Sequence, residues 1–123
     1  MESKPNYSIH LDAKYHFLER IDIPGMIDAC DEQWFNQTLC ELNDSVVRLG
    51  IIHGEFHWHK HDEEDEFFLV LDGKLLIDLE KETIELSRHE AFTIPKGVVH
   101  RTRAPEKTVI LMVEKAGVQP TGD

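Results

Sequence analysis

Four of the chain's eight histidines lie within nine residues, and three of them occupy every second position: His57, His59 and His61. A β-strand directs alternate side chains to the same face, so these three imidazoles are expected to project together while Trp58 faces away. Neutral imidazole nitrogens bind divalent transition metals, and Glu66, five residues after His61, adds a carboxylate oxygen. The residue types and their spacing therefore indicate a metal site.

The other histidines give weaker signals. Gly54 can host a β-bulge, which would break the alternation between His53 and the histidines that follow it. We interpret His10, His16 and His89 as surface residues.

Two motifs in the chain resemble those of the cupin superfamily. From His59 the sequence reads His-x-His, four residues, Glu66, six residues and Gly73, with Gly54 as the leading glycine. The run from Pro95 to His100 reads Pro-x-Gly, two residues and His, which matches the middle of the second cupin motif. Within the superfamily the chain is similar to small single-domain bacterial proteins, RmlC-like or mannose-6-phosphate-isomerase-like, over about residues 45–114.

The second motif departs from the cupin pattern at two positions. The glycine expected six residues before Pro95 is His89, so a residue with a side chain must make that turn, and histidine tolerates a positive φ better than β-branched residues do. The asparagine expected after His100 is Ala104. Because neither position normally carries a metal ligand, the departures bear on loop geometry and pocket lining.

The resemblance implies a metal site formed by His59, His61, Glu66 and His100. Three imidazoles and one carboxylate would leave one or two coordination places for water or substrate. With no thiolate in the set, Zn, Fe, Mn and Ni all stay open, because affinity order alone does not select the metal. The alternative is that the four side chains are hydrogen-bonded polar groups in a barrel mouth, since many cupin relatives keep the fold without a metal.

A reaction at this site would also need an acid or base, and the candidates are His57, Glu55 and Arg48. His57 could instead orient a ligand or lie on the surface. Arg101 and Arg103 flank His100 and are expected on the opposite face of its strand. Because the chain offers no arginine or lysine pair at the site and no glycine-rich loop before a helix, sugar-phosphate isomerase activity is not favoured.

From residue 44 onward the sequence predicts short β-strands, and these strands must position the candidate site residues. Turn signals recur every eight to twelve residues, among them Asp72-Gly73, which is typical of a hairpin, and the spacing predicts an all-β sandwich or barrel. The resemblance implies a double-stranded β-helix, or jelly roll. The predicted strands are 46–52, 55–59, 67–71, 74–79, 83–86, 91–94, 100–103 and 108–114.

We divide the chain into three parts. Residues 1–43 form an N-terminal extension packed on the barrel, with a short helix between Ile27 and Leu42 that follows a break at Pro24-Gly25. Residues 44–116 form the barrel, and residues 117–123, which contain glycine and proline, are expected to be loosely ordered. The strand 67–71 is apolar on both faces, which favours a homodimer with a second subunit covering one side.

Composition excludes several classes of function. With 24 acidic and 13 basic side chains the formal charge is −11, which argues against nucleic-acid binding. No apolar run approaches the roughly 18 residues that would suggest a membrane span, and the start does not read as a signal peptide, so we expect a cytoplasmic protein with no membrane partner. Cys30 and Cys40 are interpreted as reduced thiols.

Three functions fit these expectations. The first is a metal-dependent enzyme that acts on a small polar metabolite in the barrel mouth by dioxygenase, isomerase or lyase chemistry. The second is a non-catalytic protein that binds a small molecule or senses a metal. A purely structural role is the third and makes no use of the four ligands. The residues do not decide whether the protein is an enzyme, because one fold hosts many reactions.

Overall fold

Eight β-strands and one short helix form the regular structure of residues 6–123, the part of the chain that the computed structural model describes. The all-β prediction with a short helix in the N-terminal part is confirmed. In chain order the elements are β1 Ser8–His10, α1 Ile23–Ala29, β2 Trp34–Leu42, β3 Ser45–Glu55, β4 Glu66–Asp72, β5 Leu75–Asp78, β6 Thr83–Leu86, β7 Ala91–Ile94 and β8 Arg101–Lys115.

The long strand β8 organises the sheet. It pairs antiparallel with β3, β4 and β5, and the strand order is β1-β2-β3-β8-β4-β7, with β6 paired to β5. Alternate residues of β8 pack into two apolar clusters: Ile110 and Met112 belong to one, and Val109 and Leu111 to the other. The first cluster fills the interior of the barrel, and the second lies on the opposite face of the sheet, where Met26 of α1 covers it.

The helix lies earlier in the chain than the sequence pattern predicts. It spans Ile23–Ala29, so the prediction that Pro24-Gly25 would break the chain before a later helix was wrong. Proline is favoured in the first turn of a helix, where its missing N–H costs nothing. Asp22 caps the helix by accepting a hydrogen bond from the Gly25 amide at 3.0 Å.

Residues expected in or near that helix form β2 instead. Its inward side chains Trp34, Asn36 and Thr38 are buried and alternate with half-buried ones, which is the period of a strand. Strand β2 pairs antiparallel with β3, and β1 adds a parallel edge strand, so part of the N-terminal region belongs to the same sheet as the barrel.

At two turns the sequence made a local prediction, and the structure confirms only one of them. Asp72-Gly73 does not make a hairpin, because β4 and β5 run along β8 in the same direction and the chain only bends between them. Gly73 is required there, since a Cβ would lie 2.9 Å from the Cα of Thr108. His89 adopts a φ of +70°, which confirms the positive φ predicted where the motif has glycine.

None of the helices within residues 6–123 is both long and apolar enough to cross a membrane.

Candidate metal centre

A backbone bridge brings the two motifs together. The amide of His59 donates to the carbonyl of His100 at 2.9 Å, and the amide of His100 donates to the carbonyl of His59 at 2.9 Å. Strand β3 has already ended at Glu55, so this isolated bridge, rather than a continuous strand, sets the position of His59. It holds the two imidazole rings with their centroids 4.4 Å apart.

Glu66 and His61 complete the group from the other side. Glu66 is the first residue of β4 and is 5% exposed, while His61 is 3% exposed and its carbonyl accepts a hydrogen bond from the amide of Gly97. Oε1 of Glu66 lies 3.2 Å from Nε2 of His100 and 3.5 Å from Nε2 of His61. The structure thus gathers the three predicted histidine ligands around the carboxylate of the fourth, Glu66.

Backbone carbonyls orient two of the imidazoles. Nδ1 of His59 lies 3.0 Å from the carbonyl oxygen of His57, and Nδ1 of His100 lies 2.9 Å from that of Val98. A carbonyl only accepts hydrogen bonds, so each Nδ1 carries a proton, and in the neutral ring the lone pair is then on Nε2. This is the arrangement in which histidine binds a metal through Nε2.

The donor set fits a divalent cation. Ligand atoms of His59, Glu66 and His100 all lie within 4.8 Å of one another, and so do those of His61, Glu66 and Glu114. Neither ring nitrogen of the buried His61 has a hydrogen-bond partner within the described residues. Its contact with Oε1 of Glu66 at 3.5 Å is long for a hydrogen bond, and a metal bound to the ring would satisfy it better.

At His59 and Glu66 the pKa shifts favour the ionisation state that binds a metal. Burial lowers the pKa of His59 to about 4, which leaves the ring neutral at neutral pH. Burial alone would raise the pKa of Glu66, but its contacts with His100 and His61 outweigh that effect and hold the pKa below its usual range. At His61 the contact with Glu66 outweighs burial and raises the pKa of the ring, so a metal binding there has to displace a proton.

Glu114 is a member of the cluster that the sequence analysis missed. It lies near the end of β8, is 3% exposed, and faces the interior together with Thr108 and Met112. Burial and the charge of Glu66 raise its pKa, with Arg48 opposing them. The signal was present, since alternation along β8 puts residues 108, 110, 112 and 114 on one face, and a glutamate in that series has to be buried.

Arg48, predicted as an acid or base, lies beside Glu114 instead. Its side chain is 3% exposed, and Nε lies 2.7 Å from Oε1 of Glu114. The Nε–H is not aimed along this contact, so the pair is a charge interaction rather than a directed hydrogen bond. Nη2 donates to the carbonyl of Val118 at 3.2 Å, which ties Arg48 to the C-terminal segment.

The other two acid or base candidates are also engaged away from the ligand group. Nε2 of His57 lies 2.7 Å from the carbonyl oxygen of Thr121, and Nδ1 lies 3.3 Å from the hydroxyl of Tyr7. Glu55 is exposed, and its carboxylate faces Arg101 at 3.8 Å. Neither residue belongs to the two groups of potential ligands found within residues 6–123.

Arg101 and Arg103 point away from the centre and share one carboxylate. Nε of each donates to Oδ2 of Asp78 at 2.8 Å. Hydrogen bonding from Arg103 is the main cause of the strongly lowered pKa of Asp78. Arg101 and Arg103 therefore belong to an ion-pair cluster between β5 and β8 and not to the ligand group.

The C-terminal segment, residues 117–123, lies over the ligand group. Val118 and Pro120 are buried, and the amide of Asp123 donates to the carbonyl of Lys60 at 3.0 Å. Gly122 packs so closely that a Cβ there would lie 2.5 Å from the Cβ of His59. The sequence analysis expected this segment to be loosely ordered, because it contains glycine and proline, and did not anticipate these contacts.

A narrow cavity opens beside the group. His59 and Glu66 lie at its polar end, Asn36 contributes a buried amide oxygen with no partner within the described residues, and Pro120 borders it. About 30 Å³ is open to the centres of water molecules, roughly the space of two waters. The apolar walls come from Trp34, Ile52, Phe56, Phe68, Ile110 and Met112.

Comparisons with known proteins agree with this geometry. A family model described as Cupin domain matches residues 48–114. The chain is 49% identical over 84 residues to uncharacterized protein YdbB of Bacillus subtilis, an alignment that covers 68% of this chain and 74% of that protein.

Solved structures agree as well. The crystal structure of a cupin-2 domain containing protein from Shewanella frigidimarina has 34% identity and a TM-score of 0.73, and the match covers 77% of this chain and 93% of that one. A protein from Neisseria meningitidis has 21% identity and a TM-score of 0.69, with 79% of this chain and 99% of that one covered. At 21% identity, the match to the Neisseria protein shows a similar fold and nothing more.

Proposed function

This protein belongs to the cupin family, and on that premise we propose that it binds a divalent metal ion and uses the loaded site to hold a small molecule. The proposed ligands are His59, His61, Glu66 and His100. The observation that carries the proposal is the cluster of three imidazole rings beside the Glu66 carboxylate, with neither ring nitrogen of the buried His61 in a hydrogen bond within residues 6–123.

A metal in such a set would act as a Lewis acid toward an oxygen of the bound molecule. Zn, Fe, Mn and Ni all suit imidazole and carboxylate donors, so metal identity is left to measurement. The chain's own contribution is to fix the imidazole tautomers through the carbonyls of His57 and Val98, and to keep water out through the C-terminal segment.

The cavity supports a particular kind of ligand. Its walls are mostly apolar, and its polar atoms lie at the His59 and Glu66 end and at Asn36. We therefore propose a compact molecule with one oxygen donor directed at the metal group and an apolar part among the aromatic walls. A molecule larger than a few atoms requires Pro120 and the segment around it to shift.

Two functional classes can use this arrangement. An enzyme of dioxygenase, isomerase or lyase type is one. A non-catalytic binding or sensing module is the second, and one observation favours it: His57 and Glu55 are engaged outside the ligand group, and Arg48 is paired with Glu114. Turnover of a bound molecule distinguishes the two, since the binding module retains its ligand unchanged.

The experiment that tests the proposal is metal analysis of protein purified without added nickel, followed by a thermal-shift screen of small carboxylates, sugars and phenols. A ligand that raises the melting temperature only in the metal-loaded form identifies the substrate class. His59→Ala and His100→Ala should lose metal, while His16→Ala, an exposed control, should keep it. Equal metal content in all of these proteins contradicts the proposal.

A homodimer is part of the same proposal. Phe67 and Leu69 of β4 are half-buried and lie opposite Val113 and Leu111 of β8, so an apolar strip runs across the outer face of the sheet. Light scattering should give twice the chain mass, and Leu69→Arg should give the monomer mass. A monomeric wild-type protein contradicts the dimer.

Cellular location and partners stay predictions. We propose a cytoplasmic protein without nucleic-acid or membrane partners, on the strength of the charge of −11. Cell fractionation and a DNA-binding assay at low salt test these statements, and retention on either DNA or the membrane fraction contradicts them.

A further inference from the structure

Glu114 lies where it can coordinate the same metal ion, and we propose that it is a fifth ligand beside the four that the cupin motifs contain. This inference rests on the proposed metal-binding function. It adds a second carboxylate to the site and thereby predicts which metals the site prefers.

The sheet register places Glu114 against the ligand group. In the β4–β8 ladder Glu114 lies directly opposite Glu66, and directly opposed residues project to the same face of a sheet. A carboxylate oxygen of Glu114, one of Glu66 and a ring nitrogen of His61 all lie within 4.8 Å of one another. Both carboxylates are buried, with Glu66 at 5% and Glu114 at 3% exposure.

Unpartnered atoms in this group point to a cation. His61 is 97% buried by the same measure, and neither of its ring nitrogens has a hydrogen-bond partner within residues 6–123. Oε2 of Glu114 also lacks a partner there. Two neighbouring buried carboxylates cannot both be charged unless a cation lies between them, and a divalent ion beside His61 would take the place of the proton and satisfy all three groups.

Arg48 positions Glu114 for this role. Its guanidinium lies 2.7 Å from Oε1 and is itself held by the carbonyl of Val118 at 3.2 Å. Because Arg48 occupies the Oε1 side, Oε2 is the oxygen left for the ion. Arg48 is therefore a positioning residue. Because Val118 holds Arg48, the C-terminal segment also helps to fix the position of Glu114.

A fifth ligand of this type changes the metal preference. Three imidazoles and two carboxylates cancel the charge of a divalent ion, and carboxylate oxygens suit Mn²⁺ better than Ni²⁺, which imidazoles favour. Removal of the Glu114 carboxylate should consequently weaken Mn²⁺ binding more than Ni²⁺ binding. A variant that merely disturbs the fold should weaken both alike.

The test is titration of the metal-free full-length chain with Mn²⁺ and with Ni²⁺ by isothermal calorimetry, for wild type, Glu114→Gln and Glu41→Gln. Glu41 is exposed on β2 and serves as the matched control. We expect Glu114→Gln to lose roughly tenfold or more in Mn²⁺ affinity and clearly less in Ni²⁺ affinity, and Glu41→Gln to match wild type. Glu114→Asp, which keeps the charge on a shorter side chain, should recover part of the Mn²⁺ affinity.

Each outcome decides a different statement. Wild-type protein that binds metal together with an unchanged Glu114→Gln overturns the fifth ligand alone. An equal loss for Mn²⁺ and Ni²⁺ overturns it too, because that result assigns Glu114 a structural role. Wild-type protein that binds neither ion overturns both the proposed function and this inference.

Discussion

Nε2 of His100 lies 3.2 Å from Oε1 of Glu66, while Nδ1 of the same ring faces the carbonyl oxygen of Val98 at 2.9 Å. Since the carbonyl only accepts, Nδ1 of His100 carries a proton, and Nε2 is left facing a carboxylate oxygen. A bare ring nitrogen and a carboxylate oxygen at this distance repel each other. The contact therefore requires either a second proton on the ring or a cation bound between the two atoms.

Replacement of that carboxylate should weaken metal binding. In Glu66→Gln the amide keeps the size of the side chain but removes its negative charge, so we expect the metal affinity to fall by roughly tenfold or more. Competition against a coloured chelator measures the change. The control is Glu63→Gln, an exposed residue of the acidic turn before β4. Equal affinity in the two variants would exclude Glu66 as a ligand.

The stability of the metal-free protein should depend on pH through Glu114. Burial and the charge of Glu66 raise its pKa, so the folded protein holds a proton that the unfolded chain has released. The unfolding free energy should therefore fall as the pH rises toward about 8. Between about pH 7.5 and 8 His59 is neutral in both states, and His61, whose pKa is also raised, adds to the fall.

Glu114→Gln removes the contribution of Glu114 to this dependence, because an amide has no proton to lose in that range. Urea denaturation of the metal-free protein at several pH values should show the slope reduced by roughly half or more. An unaltered slope in the variant would mean that Glu114 does not titrate in the folded protein as described.

Close packing of Gly122 against His59 should hold the C-terminal segment in place. Gly117 and Gly122 both have positive φ, so substitution by alanine strains the backbone at each, by about 1–2 kcal/mol. Only at Gly122 would the new Cβ also meet His59, since at Gly117 it meets open space. Gly122→Ala should therefore expose the amides of residues 118–123 to hydrogen exchange far more than Gly117→Ala. Similar exchange in both variants would contradict the packing of this segment on His59.

His57 should act on stability rather than on metal content. In His57→Phe the ring still stacks on Phe56 but loses its contacts with Tyr7 and Thr121. Two lost hydrogen bonds suggest a decrease of roughly 1–3 kcal/mol in unfolding free energy, with the metal content of wild type. Denaturation and elemental analysis of the same samples check both statements. Loss of metal in this variant would place His57 in the metal group.

Local patterns in the sequence were sufficient for much of the barrel. Strands 83–86 and 91–94 were predicted at their observed limits, because turn residues bound them on both sides. The predicted runs 100–103 and 108–114 are instead one strand, β8, which continues through Pro105. The strand is continuous because β8 pairs along its length with β3, β4 and β5, and a local sequence pattern does not contain this information.

The motifs led to Glu66 and to the three histidines around it, because the residue spacing of both motifs is present in the sequence. Glu114 and the C-terminal segment were missed for a different reason. Their approach to the site depends on the register of β8 against β4 and on the packing of residues 118–123. Those are long-range contacts, and the composition of the tail pointed toward weak order.

Metal content tests the central claim most directly. Elemental analysis of the wild-type protein and of His100→Ala, both purified without added metal, should show close to one divalent ion per chain in the former and little in the latter. A wild-type protein without metal, whose melting temperature is unchanged by added Mn²⁺, Fe²⁺, Ni²⁺ or Zn²⁺, would contradict the account.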